Sequence, residues 1–238
     1  MPSRRRSMRS RPFLTGLVVM LAGAAVVVPV WLLLSSAPGL ESRAAGGPGG
    51  STCPTGLASS RANQALVWAR ARYRTEAQGR VIHADLRQIA SDTTLVGALS
   101  GGELHRALLA ANRQLVRHVV RIRVLRGSRV LVDANPSSFD VRGSGIELRS
   151  PSGTSLGRLR ITVQDVIGFI KLTDKLTPAD VVVRSGGGQM RTSLPAAARS
   201  SLPASGCTRI GSRPYVVRSF KETSFTGEPL TIWLLVAT

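Results

Sequence analysis

Arginine is the chemistry-bearing residue that this sequence sets inside otherwise apolar stretches. Arg160 stands between Leu159 and Ile161 with Gln164 four residues on, and Arg218 follows Tyr215 by three residues in a second apolar run. A guanidinium carries five N–H donors in a planar fork that matches a carboxylate or a phosphate. Gathered in one pocket, Arg160, Gln164, Tyr215 and Arg218 would bind a small anion. Spread over a sheet, the same residues would be its solvated face, because half of a one-sided sheet is polar. Catalytic patterns are scarce. His83, His105 and His118 lie apart, and no HExxH, GxSxG or phosphate-loop pattern occurs. His83 and Asp85 are two apart in a helical stretch, so they do not face each other and are expected on a solvated helix surface. Gly186, Gly187 and Gly188 read as a turn rather than a phosphate cradle. The expectation is a binding protein, not an enzyme, with no metal and no cofactor.

Cys53 and Cys207 lie some 150 residues apart, with no CxxC and no nearby histidine to complete a zinc site. A disulfide is the economical reading in an oxidising compartment. The N-terminus points to such a compartment. Arg4, Arg5, Arg6, Arg9 and Arg11 precede an apolar run over residues 13–34, and no charge appears between Arg11 and Glu41. At about 1.5 Å per residue, a helix over that run reaches about 33 Å, against a hydrocarbon core of about 30 Å. The run predicts one transmembrane helix, with residues 1–12 cytoplasmic by the positive-inside rule and everything after the helix outside. A cleaved leader ending near Ser42, Arg43 and Ala44 is the competing reading, although its apolar core is usually only about 7 to 15 residues.

Of the 238 residues, 29 are Arg and 3 are Lys against 13 acidic ones, a formal charge of +19. Beyond residue 12 there remain 27 basic and 13 acidic residues, a formal +14. A basic domain facing away from the nucleoid argues against a nucleic-acid partner. Hydrophobic residues at 43% suffice for a core, and aromatics at 4% make it aliphatic.

Residues 35–57 are rich in Ser, Ala, Pro and Gly and read as a flexible tether. Residues 59–90 then carry Ala62, Leu66, Ala69, Tyr73, Ala77, Ile82, Leu86 and Ile89 at three- and four-residue steps, which predicts one long amphipathic helix. A second helix is expected over 102–115, with Leu104, Leu108, Leu109 and Leu115 inward. The period then changes to two. Val120, Ile122 and Val124 turn through Gly127 and Ser128 into Val130 and Val132, and Ile146 and Leu148 turn into Leu159, Ile161 and Val163. A short helix over 165–176, a weaker strand pair over 181–194, and a hairpin of 215–225 with 230–237 complete an α+β order. The closing strand is far too short to cross a bilayer.

The anchor, the long helix from Ser59, the segment from Ser91 to Leu99, and the alternation from Val120 to Asp133 resemble an extracytoplasmic Cache (PDC, PAS-like) sensor domain over residues 58–238. The resemblance implies a five- or six-stranded antiparallel sheet packed on a long, membrane-proximal helix that binds small molecules to drive signalling. No kinase, cyclase or chemotaxis output follows in this sequence, so the implied module hands its state to a partner signalling protein. The resemblance also implies that Cys53 and Cys207 meet at the membrane-proximal pole. The alternative reading is an envelope interaction protein whose Arg-rich surface binds anionic lipid or wall polymer.

Overall fold

The computed structural model describes residues 56–115, 118–136 and 139–238. Segments 1–12 and 13–34, Cys53, and all but the end of 35–57 lie outside the described residues. Among the described residues no helix is long and apolar enough to cross a membrane.

The apolar steps of residues 57–90 do wind into helix, but in two pieces, α1 (Leu57–Gln78) and α2 (Arg80–Ala90), with Gly79 extended between them. The single long helix expected there is therefore broken, and the stripe itself explains why. At 3.6 residues per turn, Ile82 lies about 140° around a continuous helix from Ala77, so one straight rod could not bury both. The break lets α1 bury Ala62, Ala65, Ala69, Tyr73 and Ala77 in one core while α2 buries Ile82, Leu86 and Ile89 in another. Glycine permits the tight passage: a Cβ on residue 79 would lie 2.6 Å from the Thr75 carbonyl oxygen. Next, α3 (Thr93–Ser100) begins at Asp92, whose Oδ1 accepts from the Thr94 and Leu95 N–H groups at 2.8 and 2.9 Å. In α4 (Leu104–Arg113) the inward stripe is Ala107, Ala110 and Ala111. Leu104 and Leu109, expected inward, are exposed. Small side chains let α4 approach α3 and the sheet closely, which turns those leucines outward.

Strands β1 (Arg121–Arg126), β2 (Arg129–Ala134), β3 (Ser144–Arg149) and β4 (Ser155–Thr162) form an antiparallel sheet in the order β2-β1-β4-β3. Its inner face buries Ile122, Val124, Val132, Leu148, Leu159 and Ile161 against α2, α3 and α4. The chain then passes through α5 (Val166–Leu176) into β5 (Asp180–Ser185), β6 (Met190–Thr192), a 3-10 turn at Pro195–Arg199, β7 (Ser205–Ile210), β8 (Arg213–Thr223) and β9 (Pro229–Ala237). These strands form a second antiparallel sheet in the order β6-β5-β9-β8-β7. Ile232, Leu234 and Val236 pack under α1 and α5, while Trp233 and Leu235 pack on the opposite side with Ala197 and Leu202. Both faces of β9 are covered, so its sequence runs apolar almost without alternation.

The architecture is α+β as expected, and a five-stranded antiparallel sheet packs on α1 as the resemblance implies, but a further four-stranded sheet with its own core accompanies it. β7 was not expected from the sequence. Cys207 lies on it, half-buried against the α1 core. It is held in a disulfide rather than free, and the partner expected for it, Cys53, lies outside the described residues.

Candidate functional site

Alternation along β1 and β4 sends their apolar residues to the inner face of the first sheet and their arginines to the outer one. One row across the outer face pairs Asp133 with Arg123, Arg123 with Arg160, and Arg160 with Gly145. Arg121 lies one row away and Arg158 one row to the other side. This face is not simply solvated. Phe225, from the turn between β8 and β9, is fully buried against it, with the Arg160 guanidinium 4.9 Å and the Arg121 guanidinium 5.3 Å from its ring centre.

The arginines on this face divide into two groups. Arg121 is buried, and its Nε and Nη2 donate to the two carboxylate oxygens of Asp133 at 2.8 Å each, while Nη1 donates to Asp140 Oδ2 at 2.9 Å. Burial alone would lower the Arg121 guanidinium, and the bonds to Asp133 and Asp140 outweigh it and raise it. Arg123 Nε also sits 3.1 Å from Asp133 Oδ2. Both aspartates are therefore already engaged. Among the described residues, no carboxylate lies within ion-pair distance of Arg126, Arg142, Arg158 or Arg160. Those four line one half-open cleft of about 610 Å³, bounded by the end of α1 at Ala77 and Gln78 and by β3, β4 and the β1–β2 turn. Glu147 is its one acidic lining residue, and it accepts a hydrogen bond from Ser155 Oγ. Half-buried Arg160 sits deeper than exposed Arg126, Arg142 and Arg158. Its guanidinium is lowered from the usual range by burial and then by the positive charge of Arg158, Arg123, Arg142 and Arg121. Gly145 gives Arg160 room, since a Cβ on residue 145 would come within 2.8 Å of Arg160 Cγ.

The cleft adjoins a seam between the two sheets. The Phe225 N–H donates to Asp140 O at 3.2 Å, and Val141 bridges to Ser224. The Arg142 N–H donates to Tyr73 Oη at 3.0 Å, and that hydroxyl donates to Thr223 O at 2.7 Å. Tyr73 thus ties α1, the residue leading into β3, and the end of β8 to one atom. Burial raises its hydroxyl well above the ordinary value, so it stays a neutral donor.

The four residues singled out by sequence are not brought together. Arg160 alone lines the arginine cleft. Gln164 lines a separate cleft of about 330 Å³ with Glu76, Arg80 and His118. Tyr215 is buried with Val217 and Trp233 on one side of the second sheet, whereas Arg218 points to the other and donates through Nε to Asn63 Oδ1 of α1 at 2.7 Å. Asp85, expected on a solvated surface, contacts His118 Nε2 at 2.6 Å. Of the cleft residues that sequence reasoning missed, Arg158 was legible, because it is two positions from Arg160 on the same strand. Arg142 was not, because its place depends on the seam. Among the described residues no cluster of His, Cys, Asp or Glu could hold a metal ion.

No protein-family model matches the chain, and no curated protein matches it. Among solved structures, it is similar to the periplasmic domain of LuxQ from Vibrio cholerae at 10% identity, with 76% of this chain and 100% of that one covered and a TM-score of 0.46. It is also similar to an extracellular ligand binding receptor from Desulfohalobium retbaense at 11% identity, with 66% of this chain and 40% of that one covered and a TM-score of 0.28. At these values neither likeness bears on function.

Proposed function

We propose that this chain is a membrane-anchored, extracytoplasmic sensory module of the Cache (PDC, PAS-like) kind that binds a small anion in the arginine cleft and passes its state to a partner signalling protein. One observation carries the reading: four arginines without a carboxylate partner among the described residues converge on a cleft of about 610 Å³, a size suited to a small molecule. Like charges held this close repel, and an anion relieves that repulsion while the Arg forks fix its orientation. The cleft is lined by arginines, glycines and serines with a single glutamate, which suits binding better than proton transfer. The seam supplies a route outward, because Arg142 and Arg160 touch Tyr73 and Phe225, and through them α1 and the second sheet. The apolar run 13–34 and the arginines before it support the anchor.

The test is a thermal-shift screen of the full-length protein in detergent against small anionic and neutral metabolites. An anion at 100 times its dissociation constant adds about 2.7 kcal/mol, a shift of several degrees. The shift should vanish in Arg160→Gln and persist in Arg209→Gln, which removes the same charge from an exposed site on β7. No saturable anion binding, together with salt-sensitive binding to anionic vesicles, would replace this reading with the lipid or wall-polymer one.

A further inference from the structure

Resting on that reading, we infer that the ligand of the arginine cleft is a small dianion, with its two negative charges on separate groups or on one phosphate, rather than a monocarboxylate. The cleft lining holds four arginines and one glutamate, a formal +3. The neighbouring charges do not reduce that excess, since Asp133 and Asp140 are matched by Arg121 and Arg123 on the same sheet face. A monoanion would leave two uncompensated positive charges in the cleft, and a dianion leaves one.

The positions of the arginines make the same demand. Arg158 and Arg160 project from one strand two residues apart, which at about 3.3 Å per residue separates their Cα atoms by roughly 7 Å. Arg160 is half-buried beside Phe225, whereas Arg158 and Arg126 are exposed near the mouth. One carboxylate can accept a bidentate fork from the inner arginine or from an outer one. Filling both levels takes a second anionic group, or a phosphate whose three oxygens accept from two guanidinium groups at once. Glu147 stands directly across from Arg158 in the strand register, with its carboxylate turned to Ser155. It therefore marks the side of the mouth that the anionic groups avoid. Arg142 is exposed like Arg126 and Arg158, and its backbone N–H is fixed to Tyr73 Oη, so its position on the cleft is held by the seam.

The experiment is a charge series on the full-length protein in detergent, with acetate, succinate and inorganic phosphate titrated at constant ionic strength by calorimetry. Succinate or phosphate should bind at least tenfold more tightly than acetate. Arg158→Gln and Arg160→Gln should each erase that preference, with Arg209→Gln keeping it. Acetate binding as tightly as both dianions, and lost in Arg160→Gln, overturns the dianion while leaving the anion-sensing reading standing. No binding by any member of the series, with a neutral or cationic metabolite binding instead, overturns both. If the arginine variants are poorly folded, protection of the Arg158 and Arg160 side chains of the unaltered protein from phenylglyoxal decides the matter: protection by phosphate or succinate and not by acetate supports the inference, equal protection by acetate overturns the dianion alone, and modification unchanged by all three overturns both readings.

Discussion

Asp180 opens β5 beside the last strand, opposite Leu235, and burial, with the negative charge of Asp174 adding to it, raises its carboxyl above the ordinary value. The sign of the consequence follows by linkage. An acid whose pKa is higher folded than unfolded is penalised when ionised, so its contribution is favourable below the unfolded value and is lost as pH rises through the folded one. Asp180→Asn should therefore raise the melting temperature at pH 7, and the gain should shrink as both proteins are brought to about pH 3, where the native carboxyl is neutral. A difference that stays constant across that range would assign the effect to something other than charge. Arg121 shows the opposite balance. Its burial is offset by two carboxylates, and removing it would take the ion pair away from buried Asp140, a loss of about 3 to 5 kcal/mol in comparable sites.

Between elements, α1 meets the seam through Tyr73. Its ring stands edge-on to Phe169 and Phe220, at 5.6 and 6.4 Å between centres, which fixes the direction of the hydroxyl. The hydroxyl then accepts from the Arg142 N–H and donates to the Thr223 carbonyl oxygen. Tyr73→Phe keeps the ring and deletes both bonds, and should cost about 1 to 3 kcal/mol in urea unfolding. Hydrogen exchange at the Arg142 amide should accelerate more than exchange at the centre of β9. Uniform acceleration through both sheets would mean that the hydroxyl supports global stability and does not specifically join the elements.

For the whole molecule, charge and direction are the properties at issue. The formal +14 beyond residue 12 is not spread evenly, since the outer face of the first sheet gathers arginines around one cleft. On the proposed anchored reading, the run 13–34 crosses with the five N-terminal arginines inside, which puts that cleft outside the cell. A phosphatase reporter active only after export, fused after Thr238, should be active, and a reporter active only in the cytoplasm should be silent at the same position. The reverse pattern would overturn the orientation and, with it, access of the cleft to an external ligand.

Much of the local structure was legible because it depends on near neighbours in the chain. Period-two alternation pointed to both hairpins of the first sheet, and three- and four-residue steps pointed to helix over 59–90, though not to its division into α1 and α2. Parity alone also separates Tyr215 from Arg218, because an odd step along a strand puts two residues on opposite faces. The tertiary structure decided the rest. Gly79 becomes a break only because two cores lie in different directions, and Leu109 faces outward only because small residues bring α4 close to its neighbours. The site divides in the same way. Arg158 and Arg160 follow from strand alternation, but whether their face meets water or a buried Phe225 is settled by a turn more than 60 residues further on. The partners of Arg121, and hence which arginines are left for a ligand, are set by packing between segments that no local pattern links.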